Sequence, residues 1–396
     1  MRKLTLIPLL TVCSLYAGGY KIPETSLNGV ALSAANVAHS TSADAAYYNP
    51  ANMSFMDDSN AVEIDLMVIN LDGVHFEGAG TQAGDSIDAK SETFFIPSIN
   101  YVSPDIGGFR IGFSTVVPGG LTKRWTDSPA KDKAEEFTLT VVELNPTVSY
   151  KVSKTLSVAV GARVLYSEGV VKSSSAISRD LEGDSFDYGY NLALSYKPTT
   201  DLDMAITYRS KVDLGQEGTA KLYSPTGLAY DGGATVSVPL PALLNVAIAY
   251  TFATKTTVEF VYERNYWSAY STLDFDYAAN IGNLSPKFDD PIAKDWKDTT
   301  AYRLGITQKL DTMTLMAGVV IDESPVPDTT LSYELPDSNS ISVSIGGRYQ
   351  LNDKTDIGLS ALYSMRESRK VNNADIEGTF SNSNVLIVSA GVGYKF

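Results

Sequence analysis

Residues 386–396 read Leu-Ile-Val-Ser-Ala-Gly-Val-Gly-Tyr-Lys-Phe and end the chain. Leu386, Val388, Ala390, Val392, Tyr394 and Phe396 alternate, so a strand here has one apolar face that finishes on an aromatic ring. A soluble protein rarely ends on such an unshielded strand, because an open edge invites pairing with other chains. Pairing this last strand with the first would close a barrel and remove the edge. This stretch decides the fold.

The same two-residue period runs back along the chain. Val62, Ile64, Leu66 and Val68 face one side of residues 61–70, with Glu63 and Asp65 on the other. Phe109, Ile111 and Phe113 alternate with Arg110, Gly112 and Ser114. Leu156, Val158, Val160, Ala162, Val164 and Tyr166 oppose Ser157, Ala159, Gly161 and Arg163. Fourteen strands are predicted in all. The others cover 93–103, 137–151, 186–197, 202–215, 236–252, 257–273, 300–310, 314–322, 340–351, 355–371 and 383–396.

Loop lengths settle the architecture. Connections from odd to even strands are long: 71–92, 118–136, 172–185, 216–235, 274–299, 323–339 and 372–382. Those from even to odd strands are short: 104–108, 152–154, 198–201, 253–255, 311–313 and 352–354. A transmembrane up-and-down barrel has this alternation, with tight periplasmic turns and longer external loops. A soluble β-sandwich would not produce so regular a series. The expected fold is therefore an all-β, antiparallel, 14-stranded barrel in the outer membrane of a Gram-negative bacterium. No apolar run after the leader is long enough for a spanning helix. The 23 tyrosines suit strands and membrane–water interfaces.

Residues 1–17 form the expected signal peptide, with Arg2-Lys3 before the apolar stretch Leu4–Leu15 and a small residue, Ala17, at the exit. Cys13 is preceded by Val12, where a lipoprotein signal wants a small residue. Cleavage removes that cysteine and takes the net charge from −15 to −17, with 29 basic and 46 acidic residues remaining. So acidic a chain is unsuited to nucleic acid, and His39 and His75 match no zinc spacing. No metal, cofactor or catalytic group is indicated. A lipase would need a nucleophile beside a histidine base, but His39 and His75 fall in the amino-terminal segment and a loop.

Residues 18–56 show no strand period, and only Val30–Val37 reads as a short helix. The segment is rich in alanine and serine and ends on Tyr47-Tyr48-Asn49-Pro50-Ala51, with a turn signal at Asn-Pro. It is expected to sit as a plug in the lumen of a wall made by residues 57–396. An open porin has no use for such a plug; a general porin or a surface adhesin is the alternative reading.

The chain resembles the FadL-type outer-membrane transporters of long-chain fatty acids and aromatic hydrocarbons. The resemblance rests on Gly19-Tyr20-Lys21-Ile22-Pro23-Glu24, Asn49-Pro50-Ala51, Thr207-Tyr208-Arg209-Ser210 and Trp296-Lys297-Asp298. It extends to Asp322-Glu323-Ser324-Pro325-Val326-Pro327 and Leu335-Pro336-Asp337. It implies passive capture of a hydrophobic molecule from outside, an apolar pocket, and sideways release at a kink in the third strand. Arg209 and Lys297 occupy positions resembling head-group ligands. Where family members often carry arginine, this chain has Leu331 and Ser338-Asn339-Ser340, so that loop has lost positive charge.

Tyr20, Leu121, Trp125, Leu243 and Leu244 are the expected apolar ligand contacts. Asn49, Pro50 and Ala51 in the plug, with Pro118-Gly119-Gly120 in the wall, are the expected gating elements. Proline cannot donate to a strand ladder, and glycines mark bulges. The partners implied are a fatty acid or hydrocarbon, outer-membrane lipid and lipopolysaccharide, with the protein a monomer.

Overall fold

The computed structural model describes residues 18–396, so the expected signal peptide, residues 1–17, lies outside the described residues. Fourteen antiparallel strands form a closed wall. They are β1 (Ala61–Leu71), β2 (Glu92–Val102), β3 (Phe109–Arg124), β4 (Glu136–Lys151), β5 (Leu156–Lys172), β6 (Ser178–Tyr196) and β7 (Leu202–Arg209). The ring continues with β8 (Leu243–Thr251), β9 (Thr256–Asn265), β10 (Thr299–Lys309), β11 (Met313–Asp322), β12 (Ser340–Asn352), β13 (Thr355–Arg366) and β14 (Val385–Lys395). β14 pairs with β1 from Ala61 opposite Lys395 to Leu71 opposite Val385, which closes the ring. The alternation has the sense expected in lipid. Ile64, Leu66, Val160, Leu386 and Val392 point outward, while Glu63, Asp65, Arg163 and Ser389 are buried inside. Tyr150, Tyr196, Tyr250, Phe252, Tyr349, Tyr394 and Phe396 are exposed near the short turns, as an aromatic girdle requires.

Two of the predicted strands divide. The strand expected over 202–215 leaves the wall after Arg209, and Val212–Ser224 pairs instead with the outer part of β6 and with Gly227–Leu240. The strand expected over 236–252 breaks at Pro241, because proline supplies no donor. Its first part belongs to this external hairpin and only Leu243–Thr251 to the wall. β9 and β13 are shorter than predicted, while β3 and β6 reach further outward.

The wall is incomplete at one place. β2 and β3 pair only from Ile99 opposite Thr115 to Val102 opposite Gly112. Further out, β3 bulges between Val116 and Gly119 against β4. Its free edge is taken by the amino-terminal segment: Ile22 N donates to Pro118 O at 2.8 Å, and Gly120 N to Tyr20 O at 2.8 Å.

Residues 19–56 lie within the ring and touch inward-facing side chains around it. Ser26 caps α1 (Leu27–Ala31) by accepting from Gly29 N at 3.0 Å. The helix lies earlier than the expected Val30–Val37, because Ser33 and Ala34 turn left-handed at φ 50° and 60°. A second turn, α2 (Ala45–Tyr48), leads to a 3₁₀ turn at Pro50–Phe55. Asp44 ties the segment together, accepting from Ser26 Oγ, Asn28 Nδ2 and Asn36 Nδ2 at 2.8–3.0 Å. α1 fits because the facing wall lacks side chains. A Cβ on Gly346 would lie 2.6 Å from Ala31 Cβ, and one on Gly318 would lie 2.3 Å from Leu32 C.

Candidate functional site

On the outer side of the amino-terminal segment lies an apolar cavity with about 610 Å³ of space between side chains, its open mouth included. Leu121 of β3 and Phe137 and Leu139 of β4 form one wall. The external hairpin contributes Val236 and Val238, held outside the membrane ring by its pairing with β6. The loop between β9 and β10 supplies Tyr270, Leu273, Phe275 and Trp296, and the loop between β11 and β12 supplies Val326 and Leu335. Tyr20 closes the inner end. Its ring meets Trp267 edge-on at 4.7 Å and Trp296 at 5.6 Å, and its hydroxyl donates to Pro239 O. Aromatic side chains supply large apolar area with fixed shape.

One end of the cavity is charged. Lys294 Nζ lies 2.6 Å from Glu334 Oε2, and Arg179 Nη2 lies 3.6 Å from Glu334 Oε1. The Arg179 guanidinium also sits 4.8 Å over the Phe275 ring. Burial pushes the Glu334 carboxyl up, but Lys294 and Arg179 outweigh it and hold it below the usual carboxylate range. Two cations therefore face one carboxylate at the edge of an apolar space. Such a group can accept a second anion through charge-assisted hydrogen bonds.

The structure distributes the expected site residues unevenly. Tyr20 and Leu121 line the cavity. Trp125 is buried near it and donates from Nε1 to Tyr333 O at 2.9 Å. Leu243 and Leu244 begin β8, half-buried and away from the cavity. Arg209 lies deeper in the lumen, bonded to Glu143, which also holds Arg163 at 2.9 Å. Its guanidinium stands 4.3 Å over the Tyr47 ring. Lys297 has an exposed side chain, and its backbone N–H donates to Pro325 O at 2.9 Å. Arg209 and Lys297 are thus not brought together; Lys294 lines the cavity instead, with Arg179 behind it on Glu334 and Phe275. The signal for Lys294 was present: it shares the side of Trp296 in a two-residue alternation, whereas Lys297 falls on the other.

Asn49 Nδ2 donates to Val37 O at 2.7 Å and Ser195 Oγ at 2.9 Å, and its Oδ1 accepts from Ala51 N. Pro50 opens the 3₁₀ turn, and Ala51 O accepts from Ser157 Oγ at 2.8 Å. Gly119 lies where a Cβ would stand 3.0 Å from Tyr20 O and 3.2 Å from Leu240 Cδ1, so its lack of a side chain eases the meeting of three segments. The loop after β11, poor in its own cations, is held from β13 and the chain beyond it. Arg366 Nη1 pairs with Asp337 Oδ1 at 2.7 Å, and Arg369 Nη1 donates to Asp337 O at 2.7 Å.

Residues 9–396 match the family described as outer membrane protein transport protein (OMPP1/FadL/TodX). A long-chain fatty acid transport protein of Escherichia coli O6:H1 is 23% identical over 387 residues, covering 85% of this chain and 83% of its own. Outer membrane protein P1 of Haemophilus influenzae is 22% identical, covering 100% of this chain and 96% of its own. Among solved structures, a Pseudomonas aeruginosa FadL homologue superposes with a TM-score of 0.84 at 19% identity, over 95% of this chain and 99% of that one. The P. putida toluene transporter TodX gives a TM-score of 0.70 at 19% identity, over 93% and 99%. With the match running through wall, lumen segment and cavity loops alike, this 14-stranded outer-membrane barrel belongs to the OMPP1/FadL/TodX family of outer membrane transport proteins.

Proposed function

We propose that the protein is a passive channel for hydrophobic small molecules, taking them from outside into the apolar cavity and releasing them sideways into the bilayer. The observation that carries this reading is the position of the cavity: Leu121 and Tyr20 line it, and the same two segments fill the gap where β2 and β3 part. A buried methylene favours an apolar medium by about 0.8 kcal/mol, so a lipid-like ligand has no gain in entering water. Displacing residues 20–22 from β3 would connect cavity and membrane. Residues 18–56 then act as a plug and the channel needs neither energy coupling nor catalysis. It works as a monomer among outer-membrane lipid and lipopolysaccharide.

The charged end supports a long-chain fatty acid, its tail in the cavity and its carboxylate between Lys294 and Arg179, in keeping with the relatives named for that cargo. A second reading is an uncharged aromatic hydrocarbon, favoured by Glu334, which already neutralises one cation. Equilibrium binding of a fluorescent fatty acid, competed by toluene, tests both. Displacement by oleate with a flat toluene curve supports the first, the reverse supports the second, and no binding of either removes the transport reading.

A further inference from the structure

Outside the membrane ring, the sheet formed by β5, β6 and the external hairpin carries one rung that is nearly bare of side chains. Gly169 of β5 lies opposite Gly183 of β6, Gly183 opposite Gly218, and Gly218 opposite Ala234. Side chains alternate between the faces of a sheet, and this rung shares the inward face with the buried Leu181, Ala220 and Val238. Tyr277 stands opposite Ala234 and ends the row. The nearest atoms to a Cβ on Gly183 or Gly218 would be backbone atoms of the neighbouring strand, not side chains.

The bare rung leaves a trough with about 300 Å³ of space between side chains, its open side included. Val171 and Leu181 bound it on the outer side, and Gln216, Val236 and Phe275 on the inner. Neighbouring strands lie about 4.8 Å apart, so the trough runs about 14 Å from Gly169 to Ala234. Rungs on one face recur about every 7 Å along a strand, so a single absent rung gives the width of one polymethylene chain. Gly169, Val171, Gln216, Val236 and Phe275 also line the apolar cavity described above, so the two spaces adjoin.

Gln216 lies on their common boundary. It is buried, its Nε2 donates to Ser167 Oγ at 3.2 Å, and its Oε1 accepts from no described group. A Cβ on Gly169 would stand 2.2 Å from this Oε1, so the amide covers the first glycine of the trough. A buried acceptor without a donor is an unfinished contact, and one long hydrogen bond to a hydroxyl is all that orients this side chain.

We infer that the trough is a second arm of the ligand site and takes the end of an unbranched alkyl chain whose remainder fills the main cavity. The inference rests on the reading of that cavity as the ligand site. Apolar flanks, a floor of paired peptide groups and the width of one chain all fit a polymethylene tail. A branched chain or a fused ring would meet Leu181 on one side and Val236 on the other. The tail enters by turning Gln216 off Gly169, and Ala234 with Tyr277 sets its limit. Each methylene taken from water strengthens binding about fourfold, so the arm lets affinity rise with chain length beyond what the main cavity holds.

Equilibrium binding of octanoate and palmitate tests the arm in three proteins. These are the wild type, Ala234→Leu, whose larger side chain fills the far end, and Thr235→Leu, which points to the opposite face. In Ala234→Leu palmitate should lose at least roughly tenfold in affinity while octanoate stays within about twofold, since only the longer chain has methylenes to lose from the arm. Thr235→Leu should leave both acids unchanged. Equal loss of both acids in Ala234→Leu, or loss of neither, overturns the arm and leaves the main cavity as the ligand site. Binding of neither acid to the wild type overturns the reading of the cavity, and the arm with it. Should Ala234→Leu fail to fold, wild-type crystals soaked in a hexadecanoic acid brominated at its terminal carbon decide. An anomalous bromine peak over Gly183 and Gly218 supports the arm, and a peak in the main cavity alone overturns it.

Discussion

The carbonyl of Tyr20 accepts a hydrogen bond from the amide of Gly120 across 2.8 Å, so the amino-terminal segment completes the wall where β3 has lost β2. Lys21 and Gly119 face each other at this contact. A disulfide between Lys21→Cys and Gly119→Cys is expected to stop uptake of hydrophobic substrate while binding from outside persists, and reductant should restore uptake. Lys21→Cys alone controls for the loss of the Lys21–Glu263 pair, and Gly119→Cys alone for the added side chain. Undiminished uptake in fully oxidised protein would move the exit elsewhere in the wall.

Lys294→Met should weaken fatty-acid binding at least roughly tenfold, since a hydrogen bond to a charged group contributes about 1.5–3 kcal/mol. Binding of toluene should hardly change. Arg209→Ala should do something different: it leaves Glu143 with Arg163 alone and frees Tyr47, lowering stability by about 1.5–3 kcal/mol, the worth of a hydrogen bond to a charged group. Isothermal titration separates the two roles from thermal unfolding. Equal losses of affinity in both variants would return Arg209 to the ligand site.

The charged end also predicts a pH response. The Glu334 carboxyl is held below its ordinary range by Lys294 and Arg179 despite burial, so its pairing stabilises the loop above that range. The contribution is lost as pH falls through the lowered value, when the group takes a proton. Thermal unfolding should therefore show an acid-side drop that Glu334→Gln abolishes. An unchanged acid profile in that variant would assign the drop to other carboxylates.

Much of the wall was legible because lipid on one side and a wet lumen on the other impose a strict period of two. The failures fall where another force takes over. Val212 and Leu214 continue the alternation of β7, so nothing local marks the departure of the hairpin at Ser210; only its pairing with β6 does. Arg209 and Lys297 carry the right charge at family positions, yet a guanidinium near Glu143 and Tyr47 is drawn inward by long-range contacts that spacing does not encode. Tyr20 and Leu121 were legible because large apolar groups beside glycine and proline have little else to do. Arg179, inside a presumed loop, left no such mark.

The glycines under α1 give a packing test. Gly346→Val and Gly318→Leu drive side chains into Ala31 and Leu32, whose nearest atoms lie 2.6 and 2.3 Å from the new Cβ positions. Overpacking costs about 1–3 kcal/mol, and here the segment rather than the wall gives way, since the wall strands keep their ladders. Heat modifiability should persist while leakage of small sugars rises. A tight barrel with normal permeability would mean that α1 shifts along its groove without unseating.

Removing residues 19–48 tests the segment as a whole. The wall closes its own backbone bonds through β14 and β1, and a barrel needs no more than that to persist in lipid. The charges now facing the segment, Glu259, Arg303 and Glu263 among them, would meet water in an emptied lumen instead of an unpaired interior, so they carry no burial cost. The β3 edge at Pro118–Gly120 loses its partner but faces the same water. The expected product is a folded, heat-modifiable barrel that passes small hydrophilic solutes freely and no longer discriminates hydrophobic ones. Conductance in planar bilayers and sugar flux in liposomes measure the first property, and uptake competition measures the second. Failure of the shortened chain to insert would make the segment part of the folding core rather than a plug.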